Sequence, residues 1–255
     1  MKFIGIIPAR YASSRFPGKA LFVIDGKTMI QRVYEQVKKS TVFSEVYVAT
    51  DDVSIENHVK KFGGNVVMTS KDHPCGTDRC YEAFHIINSD KKYTADDVVI
   101  NIQGDEPCIN PEQMELVASC FKNDEVKIAT LIKKIDSVED LINPSIIKVV
   151  CDKNKKAIYF SRAPIPYLRG FDQQQWLKKH TYFQHIGIYA YKTSVLEEIH
   201  HLSQTPLEKA ESLEQLRWLE NGYSIHVNIT DHKSYSVDVP DDINKILQLL
   251  KEPKK

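Results

Sequence analysis

The sequence lacks any segment that would place the chain in a membrane. None of its apolar runs approaches the roughly 18 residues of a transmembrane helix. Its first residues, MKFIGIIPARY, have neither the long apolar centre nor the small-residue cleavage site of a secretory signal. We therefore expect a cytoplasmic protein that does not bind a membrane.

The chain also lacks net charge. It contains 34 basic and 34 acidic residues among 255. Proteins that coat nucleic acid or an anionic membrane carry an excess of positive charge, so the composition argues against both classes. Any cluster of cations must then serve a local partner.

Cysteine is scarce and shows no pattern. The five cysteines are odd in number, widely scattered and without a C-x-x-C pair. This argues against a disulfide framework and against a zinc site, and we expect reduced thiols.

Two common phosphate-binding motifs are missing as well. The sequence contains no G-x-G-x-x-G. The segment DGKT at 25–28 only imitates a P-loop, because the first glycine of that motif would have to stand at Leu21.

Strand-like and helix-like segments alternate over the first half of the chain. The short β-branched runs are KFIGIIP, EVYVAT, NVVMTS and DVVINIQ. Segments with the helical spacing of apolar residues separate them. This order predicts an α/β fold with a parallel sheet between helices and with ligands at the carboxyl ends of the strands.

The pattern changes after Phe121. The strand-like segments KIATLIKKI, IIKVVCD, KAIYFSR and QHIGIYAYK lie close together around a loop at 163–181, which favours a mixed or antiparallel extension. Two helices are predicted beyond it, TPLEKAESLEQLRWLENG and PDDINKILQLLK. No repeat or low-complexity linker marks a boundary, so we predict a single domain over 1–255.

A cationic loop follows the first strand. The stretch IGIIPARYASSRFPGKAL contains Arg10, Arg15 and Lys19 and no acidic residue. α/β folds bind phosphate at this position, so we expect an anion held by these charges and by the backbone amides of Ser13, Ser14 and Gly18. The alternative is a solvated basic loop without a ligand.

Acidic residues end two later segments. VVINIQGDEP ends in Gln103, Asp105 and Glu106, and Asp238 lies between two valines in SYSVDVPDD, where an alternating strand would point it away from them. Carboxylates hold Mg²⁺ together with phosphate oxygens. Asn110 already supplies the N-cap of the next helix, which favours the metal for the first segment. For Asp238, spacing alone leaves a metal ligand and a helix-start residue equally open.

Two polar residues interrupt the later strands. Arg162 in FSRAPIPY lies near a strand end, where an arginine usually needs an anion. His185 in FQHIGIYAY is more typical of a satisfied core or edge residue.

The chain closely resembles the 3-deoxy-manno-octulosonate cytidylyltransferases, or CMP-Kdo synthetases. The resemblance rests on segments that occur in family order: IPARYASSRFPGKAL, VATDD, GTDR, NIQGDEP, NPSIIKVV, YFSRAPIPY, HIGIYAY, PLEKAESLEQLRWLENG and SVDVPDDI. It covers nearly the whole chain. It implies a Rossmann-like nucleotidyltransferase fold of the nucleotide-diphospho-sugar transferase type. It also implies a homodimer, for which the strand-rich extension at about 140–190 is the expected contact.

The resemblance also implies a reaction. CTP and 3-deoxy-D-manno-octulosonate (Kdo) would give CMP-Kdo and pyrophosphate with Mg²⁺, for lipopolysaccharide biosynthesis in a Gram-negative bacterium. The anomeric hydroxyl of the sugar would attack the α-phosphorus in line, with no covalent enzyme intermediate. Magnesium bridging phosphate and sugar oxygens would lower the pKa of that hydroxyl.

Residue roles follow from the same resemblance. The residues expected to bind CTP are Arg10, Ser13, Arg15, Lys19, Thr77, Arg79 and Gln103. The expected magnesium ligands are Asp105 and Asp238, which with Lys19 and Arg10 form the expected catalytic set. The expected sugar-acid pocket consists of Arg162, His185, Tyr189, Glu214 and Gln215. Asp78 and Val239 stand where the family usually has Glu and Thr, and both lie beside expected site positions.

Two other functions stay open. A CMP-sialic acid synthetase also begins with an arginine-rich loop after its first strand, but it is not expected to carry SLEQLR and HIGIY together. A nucleotide-binding regulatory protein that has lost catalysis is the second, and the intact Lys19, Asp105 and Asp238 argue against it. The sequence leaves open whether the sugar is Kdo or its 8-amino analogue.

Overall fold

A computed structural model describes residues 1–13 and 15–251, so the prediction for the amide of Ser14 lies outside the described residues. The strands are β1 (Phe3–Ala9), β2 (Val23–Ile24), β3 (Lys27–Thr28), β4 (Phe43–Thr50), β5 (Val66–Met68), β6 (Val98–Asn101), β7 (Ile128–Lys134), β8 (Lys148–Cys151), β9 (Ala157–Ser161), β10 (Phe183–Lys192) and β11 (Ile225–Ile229). The helices are α1 (Met29–Val37), α2 (Val53–Lys61), α3 (Gly76–Ile87), α4 (Pro111–Ser119), α5 (Val138–Ile142), α6 (Trp176–Lys179), α7 (Thr193–His200), α8 (Pro206–Glu211), α9 (Gln215–Glu220) and α10 (Asp242–Lys251).

The chain forms two compact units, each built from separate segments. The first contains residues 1–115, 191–200 and the chain from 234 onward, and the second contains 116–190 and 201–233. A division by contacts does not decide whether either unit folds alone. The single domain therefore stays a prediction.

A parallel sheet organises the first unit. Its strand order is β6–β1–β4–β5, and Gly5 of β1 lies opposite Val46 of β4 and Ile100 of β6. Ile4, Ile6 and Ile7 of β1 are all buried, as expected for a parallel strand covered on both faces. The predicted β-α-β alternation is confirmed.

The carboxyl ends of β1 and β6 approach each other closely. A Cβ atom at Gly104, just beyond β6, would lie 2.6 Å from the carbonyl oxygen of Pro8 in β1. Only glycine fits at so short a distance from the backbone of a neighbouring strand. The loops that follow these two strands therefore begin in contact, and both contribute to the site described below.

Antiparallel pairing characterises the second unit. β7 lies between β11 and β10, and it runs parallel to β11. β8 pairs with both β10 and β9 in antiparallel fashion. Phe160, Tyr182 and Trp218 fill the core of this unit. The predicted fold class, a mostly parallel α/β sheet with a smaller mixed or antiparallel extension, is confirmed.

Two predicted elements differ in the structure. The single helix predicted from TPLEKAESLEQLRWLENG is two, because α8 ends at Glu211 and Ser212 adopts a left-handed backbone conformation with φ 51° before α9 begins. The segment around Asp238 is not a strand in the described structure. It runs beside the loop after β6 instead, where the amide of Val237 donates to the carbonyl of Asp105 at 2.9 Å.

None of the helices within 1–13 and 15–251 combines the length and the apolar character that a membrane crossing requires. None of the five cysteines, all of which lie in the described ranges, forms a disulfide, as predicted.

Candidate active site

A cavity of about 300 Å³ lies in the first unit, at the carboxyl ends of β1 and β6. The predicted CTP residues that line it are Arg10, Ser13, Arg15, Lys19, Arg79 and Gln103. Both predicted magnesium ligands, Asp105 and Asp238, line it too. Thr77 does not belong to its lining, because this residue is buried in the first turn of α3.

The loop after β1 is shaped by its own backbone. The carbonyl of Tyr11 accepts hydrogen bonds from the amides of Ser13 at 2.9 Å and Gly18 at 2.8 Å. Gly18 has φ 71°, a left-handed conformation that favours glycine, and a Cβ there would lie 3.3 Å from the ring of Tyr11. The loop therefore turns back on itself and starts a short 3-10 turn at Lys19.

Lys19 forms the more buried of the two ion pairs whose members both line the cavity. Its Nζ donates to Oδ2 of Asp105 at 2.5 Å and to the carbonyl of Val237 at 3.0 Å. The side chains of Lys19 and Asp105 are only 17% and 23% exposed. Partial burial strengthens such a pair, because less water screens the two charges.

Arg15 and Asp238 form the second pair. Nη2 of Arg15 lies 2.6 Å from Oδ1 of Asp238. The two side chains are 64% and 45% exposed, so solvent screens this interaction and it contributes little to stability. Each predicted magnesium carboxylate is thus paired with a cation predicted to bind phosphate.

The other two arginines of the cavity differ from each other. Arg10 is exposed, and none of the ion pairs in the described part of the chain involves it. Arg79 is buried, and its guanidinium donates to Asp51 at 3.0 Å, to Oγ1 of Thr69 at 2.6 Å and to the carbonyl of Ser70 at 3.2 Å. Arg79 therefore fixes the wall of the cavity, whereas Arg10 can turn toward an anion.

The start of α3 contributes residues that were not predicted for the site. Cys75 lines the cavity and caps the helix, accepting from the amide of Asp78 at 3.5 Å and donating its thiol to Oδ2 of Asp78 at 3.1 Å. The other oxygen of Asp78 lies 2.8 Å from Nδ1 of His200. His73 also lines the cavity and pairs with Glu82. In the sequence, only the position of Cys75 beside GTDR indicated that this segment contributes to the site.

Asp105 and Glu106 are adjacent but have different environments. Glu106 is buried, outside the lining of the cavity, and burial raises the pKa of its carboxyl to about 7, with a smaller contribution in the same direction from Asp105. Asp105 faces the cavity. The two acids of QGDEP therefore do not act as one ligand pair.

Asp105 and Asp238 are suited to magnesium. The hydrogen bond from Val237 to Asp105 brings their two segments side by side at the cavity. In the described ranges, no cluster of three or more histidine, cysteine, aspartate or glutamate side chains could hold a metal alone. Mg²⁺ commonly binds through one or two carboxylates plus substrate phosphates, so this donor set fits it.

Arg162, in the second unit, is the most firmly fixed of the predicted sugar-acid residues. It follows β9, and its guanidinium donates to the carbonyls of Glu211 at 2.7 Å, Pro144 at 3.1 Å and Ser212 at 3.3 Å. Its backbone amide donates to the carboxylate of Glu211 at 2.9 Å. Nη1 and Nη2 each carry a second N–H, so the guanidinium retains donors for a carboxylate.

His185 lies on β10 with a defined tautomer. Its Nε2 is 3.0 Å from Oγ1 of Thr130, and the same hydroxyl lies 2.7 Å from the carbonyl of Ile188. A hydroxyl has one proton, which Thr130 gives to Ile188, so we assign the proton of the imidazole to Nε2. Burial lowers the pKa of His185 to about 3, which keeps the ring neutral with Nδ1 as an acceptor.

Tyr189 and the start of α9 complete this set. The ring of Tyr189 lies 5.1 Å from that of His185 and 5.0 Å from that of Trp218. Burial, and then the charge of Glu214, raise the pKa of Tyr189 well above its usual value. Glu214 is the N-cap residue of α9 and Gln215 its first residue, so the helix begins at this pair.

Glu211 is a residue of this site that the sequence did not reveal. It holds Arg162 through both its carboxylate and its carbonyl, and its other carboxylate oxygen accepts from Oγ of Ser161 at 2.6 Å. It lies just before SLEQLR in the same segment as Glu214. The sequence indicates a helix there and gives no sign that the helix breaks beside Glu211.

Comparisons with known proteins agree with this architecture. The family model "Cytidylyltransferase" matches residues 4–229. The chain is 56% identical over 254 residues to a 3-deoxy-manno-octulosonate cytidylyltransferase of Parabacteroides distasonis, covering 98% of both. It is 55% identical to one of Bacteroides thetaiotaomicron, covering 98% of this chain and 99% of the relative.

Solved structures give the same result. A CMP:2-keto-3-deoxy-manno-octonic acid synthetase complexed with CTP superposes with a TM-score of 0.89 at 41% identity, over 98% of both chains. A putative glucose-1-phosphate thymidylyltransferase of Bacillus anthracis, at 16% identity and a TM-score of 0.64, shares the fold alone. The chain belongs to the cytidylyltransferase family, among the 3-deoxy-manno-octulosonate cytidylyltransferases.

Proposed function

We propose that this protein transfers the cytidylyl group of CTP to Kdo, forming CMP-Kdo and pyrophosphate for lipopolysaccharide biosynthesis. The observation that carries the proposal is the cavity of the first unit, where cations and two carboxylates meet at the ends of β1 and β6. Relatives at 56% and 55% identity bear the name of this activity, which supports the sugar. The solved relative is a complex with CTP, which supports the nucleotide.

The cations of the loop after β1 bind the triphosphate in this proposal. Lys19 and Arg15 leave Asp105 and Asp238 and turn to phosphate oxygens, and Arg10 joins them. Lys19 is the most enclosed of the three, so its charge is the least screened by water. It therefore stabilises the negative charge that develops on the departing pyrophosphate.

Asp105 and Asp238 would hold Mg²⁺ together with phosphate oxygens of CTP. When bound, the metal supplies positive charge that lowers the pKa of the attacking hydroxyl and neutralises the phosphates. Freed from their cations, the two carboxylates provide the charge that the metal needs. Separation of the two ion pairs thus makes the cations available to phosphate and the carboxylates available to the metal.

The residues of the second unit bind the sugar acid. Arg162 binds the carboxylate of Kdo with the guanidinium donors that its carbonyl partners leave available. His185 accepts a hydrogen bond from a sugar hydroxyl at Nδ1, and Tyr189 donates one from its neutral phenol. Glu214 and Gln215 offer further polar contacts from the start of α9.

The reaction is a displacement at phosphorus. The anomeric oxygen of Kdo forms a bond to the α-phosphorus, the bond to the bridging oxygen breaks, and pyrophosphate leaves. No serine or cysteine nucleophile is needed, because the protein orients two substrates and stabilises charge. The thiol of Cys75 at the cavity, which donates to Asp78, is therefore not a nucleophile in this proposal.

We further propose that the protein is a cytoplasmic homodimer. Apolar side chains are exposed in the predicted contact region at about 140–190, with Ile158 60% and Tyr167 75% exposed. Ile142 and Phe171 in the same region are exposed too. Exposed apolar side chains concentrated in one stretch of the chain support a surface that a partner covers.

Steady-state kinetics of pyrophosphate release test the function. The assay contains CTP and Mg²⁺ at fixed concentrations and Kdo, its 8-amino analogue or sialic acid as acceptor. We expect the highest kcat/KM with Kdo. A preference for sialic acid would overturn the sugar assignment. A preference for the 8-amino analogue would replace Kdo by that analogue as the natural acceptor. CTP binding without turnover on any acceptor would favour the regulatory nucleotide-binding protein.

A further inference from the structure

A fully buried lysine lies in the second unit, and none of the steps above uses it. Lys148, the first residue of β8, is 0% exposed within the apolar run IIKVV. Its Nζ donates to the carbonyls of Asn143 at 2.8 Å and Ile146 at 2.6 Å. A buried ammonium is costly unless it has such partners, so its presence needs an explanation.

The position of Lys148 connects the two sides of the proposed sugar-acid site. It pairs with Ser161 of β9, the residue before Arg162, and with Gln184 of β10, the residue before His185. The amide of His185 donates to the carbonyl of Ile147, the neighbour of Lys148, at 2.8 Å. β8 therefore lies between β9, which leads directly into Arg162, and β10, which carries His185.

Lys148 and Arg162 hold the same loop. Lys148 binds the carbonyls of Asn143 and Ile146, and Arg162 binds the carbonyl of Pro144 between them at 3.1 Å. This loop, residues 143–146, is otherwise largely exposed. The two cations fix its carbonyls from two sides, so Lys148 also limits where the guanidinium of Arg162 can lie.

The local charge is positive. Burial lowers the pKa of Lys148, Glu211 raises it, and Arg162 lowers it further. Both acceptors of Nζ are carbonyl oxygens, which bind an ammonium more strongly than a neutral amine and so favour the charged form. Lys148 and Arg162 therefore share one carboxylate, that of Glu211, which is already engaged by Ser161 and by the amide of Arg162. Glu214, the other acid of the proposed site, acts on Tyr189 and is not among the groups that shift Lys148. An excess positive charge in a partly buried place attracts an anion.

We propose that Lys148 is a positioning residue of the sugar-acid site, which fixes loop 143–146 against Arg162 and supplies the excess charge that selects a carboxylate. The inference rests on the proposed function. The proposed function uses only the charge of Arg162, which the carboxylate of Glu211 can balance. Lys148 adds a second positive charge that Glu211 leaves unbalanced, and this charge favours an acidic sugar.

The test varies the charge of the residue and the charge of the acceptor together. Lys148→Gln keeps a short polar donor toward the carbonyls and removes the charge, and Lys148→Met removes both. Acceptors are Kdo and its neutral carboxamide, at saturating CTP. We expect KM for Kdo to rise about tenfold or more in both variants, the loss of one charge-assisted contact, with KM for CTP changed less than about twofold.

The ratio of KM values for the carboxamide and the acid is the decisive readout. We expect it to fall about tenfold in Lys148→Gln relative to the parent, because only the acid benefits from the excess charge. A structural defect would weaken both acceptors alike and leave the ratio unchanged, which would overturn the inference. Lys133→Met is the matched control, because Lys133 is also buried in this unit and pairs with Asp136 at 3.3 Å.

Failure of the inference and failure of the function can be told apart. If the parent enzyme does not use Kdo, the proposed function is wrong. If the parent uses Kdo and Lys148→Gln keeps the parent's ratio, only the role of Lys148 is wrong. If Lys148→Met does not fold, Lys148→Gln alone decides, with thermal unfolding as the check on its integrity.

Discussion

Arg15 and Asp238 lie 2.6 Å apart although 223 positions separate them in the chain. The pair occupies a carboxylate that we assign to Mg²⁺ and a cation that we assign to phosphate. Neither ligand can bind its residue without competing with the other residue of the pair. Metal and nucleotide should therefore favour each other's binding, and this coupling is reciprocal.

Replacing Arg15 tests this coupling. In Arg15→Gln, Asp238 has no competing cation, so we expect Mg²⁺ to bind the nucleotide-free protein about twofold to fivefold more tightly, in line with the small free energy of an exposed ion pair. Titration calorimetry of Mg²⁺ with and without CTP measures this. Lys60→Gln is the control, because it removes an exposed pair of equal length, 2.6 Å to Glu56. Unchanged Mg²⁺ affinity in Arg15→Gln would contradict the competition.

Lys19 should act mainly on the leaving group. We expect Lys19→Ala to lower kcat by roughly a hundredfold or more, as when one preorganised charge-stabilising donor is removed. Pyrophosphate release at saturating substrates measures the change. Lys27→Ala serves as the control, since Lys27 also forms a 2.5 Å pair in the first unit, with Glu35. Near-normal turnover of Lys19→Ala would remove Lys19 from the catalytic set.

Asp238 should be a ligand of the active metal. We expect Asp238→Asn to raise the Mg²⁺ concentration needed for half-maximal activity and to reduce the rate at saturating metal, because hard cations depend on ligand charge. Asp241→Asn, an exposed neighbour, should leave the titration unchanged. An Asp238→Asn enzyme that titrates like the parent would refute the pairing of Asp105 and Asp238.

Arg162 should be irreplaceable by lysine. The guanidinium donates hydrogen bonds to three carbonyls from three different nitrogens. Lysine has a single nitrogen, so it can reproduce neither these three hydrogen bonds nor bidentate binding of a carboxylate. We expect Arg162→Lys to raise KM for Kdo about tenfold or more, with little change for CTP. An effect confined to the KM for CTP would move Arg162 to the nucleotide side.

His185 should make the protein less stable in acid. Its pKa is about 3 in the folded protein against an ordinary value of 6.5, so between these values the unfolded chain binds more protons. The free energy of unfolding therefore falls as the pH drops from 6.5 toward 3. Glu106 acts in the opposite sense, because its raised pKa of about 7 favours proton binding by the folded state above pH 4.5. The difference between parent and variant isolates the histidine.

Urea unfolding of the parent and of His185→Asn between pH 7 and pH 4.5 measures this difference. We expect a flatter pH dependence in the variant, whose amide can still donate to Thr130. Equal slopes in the two proteins would show that the pKa of His185 is the same in the folded and unfolded states, which would contradict the lowered value.

The sequence predicts the first unit well because its signals are local. Buried strands such as KFIGIIP and EVYVAT differ sharply from the amphipathic helices between them, and parallel pairing places their carboxyl ends at one edge. The cationic loop and Asp105 could therefore be assigned to one site from the order of the segments alone. Residue spacing could not show that Asp238 belongs to the same site. Its position depends on the hydrogen bond between Val237 and Asp105, which are far apart in the sequence.

In the second unit, periodicity misses what backbone geometry decides. The helical pattern continues from Pro206 to Gly222, yet the left-handed Ser212 divides it and places Glu214 and Gln215 at a helix start. The role of Glu211 depends on that break. Lys148 is visible in IIKVV as a single charge within an apolar run, but its partners are backbone carbonyls, which sequence patterns do not reveal.

The 223 positions that separate Arg15 from Asp238 also affect the order in which the site is synthesised. At a synthesis rate of about 5–20 residues per second, roughly 10 to 45 s pass between the emergence of the arginine and that of its carboxylate. Throughout this interval the nascent chain presents the cationic loop without Asp238. A polypeptide released before this point would carry the cationic loop and lack one of the two proposed metal ligands, together with the Val237 carbonyl that holds Lys19.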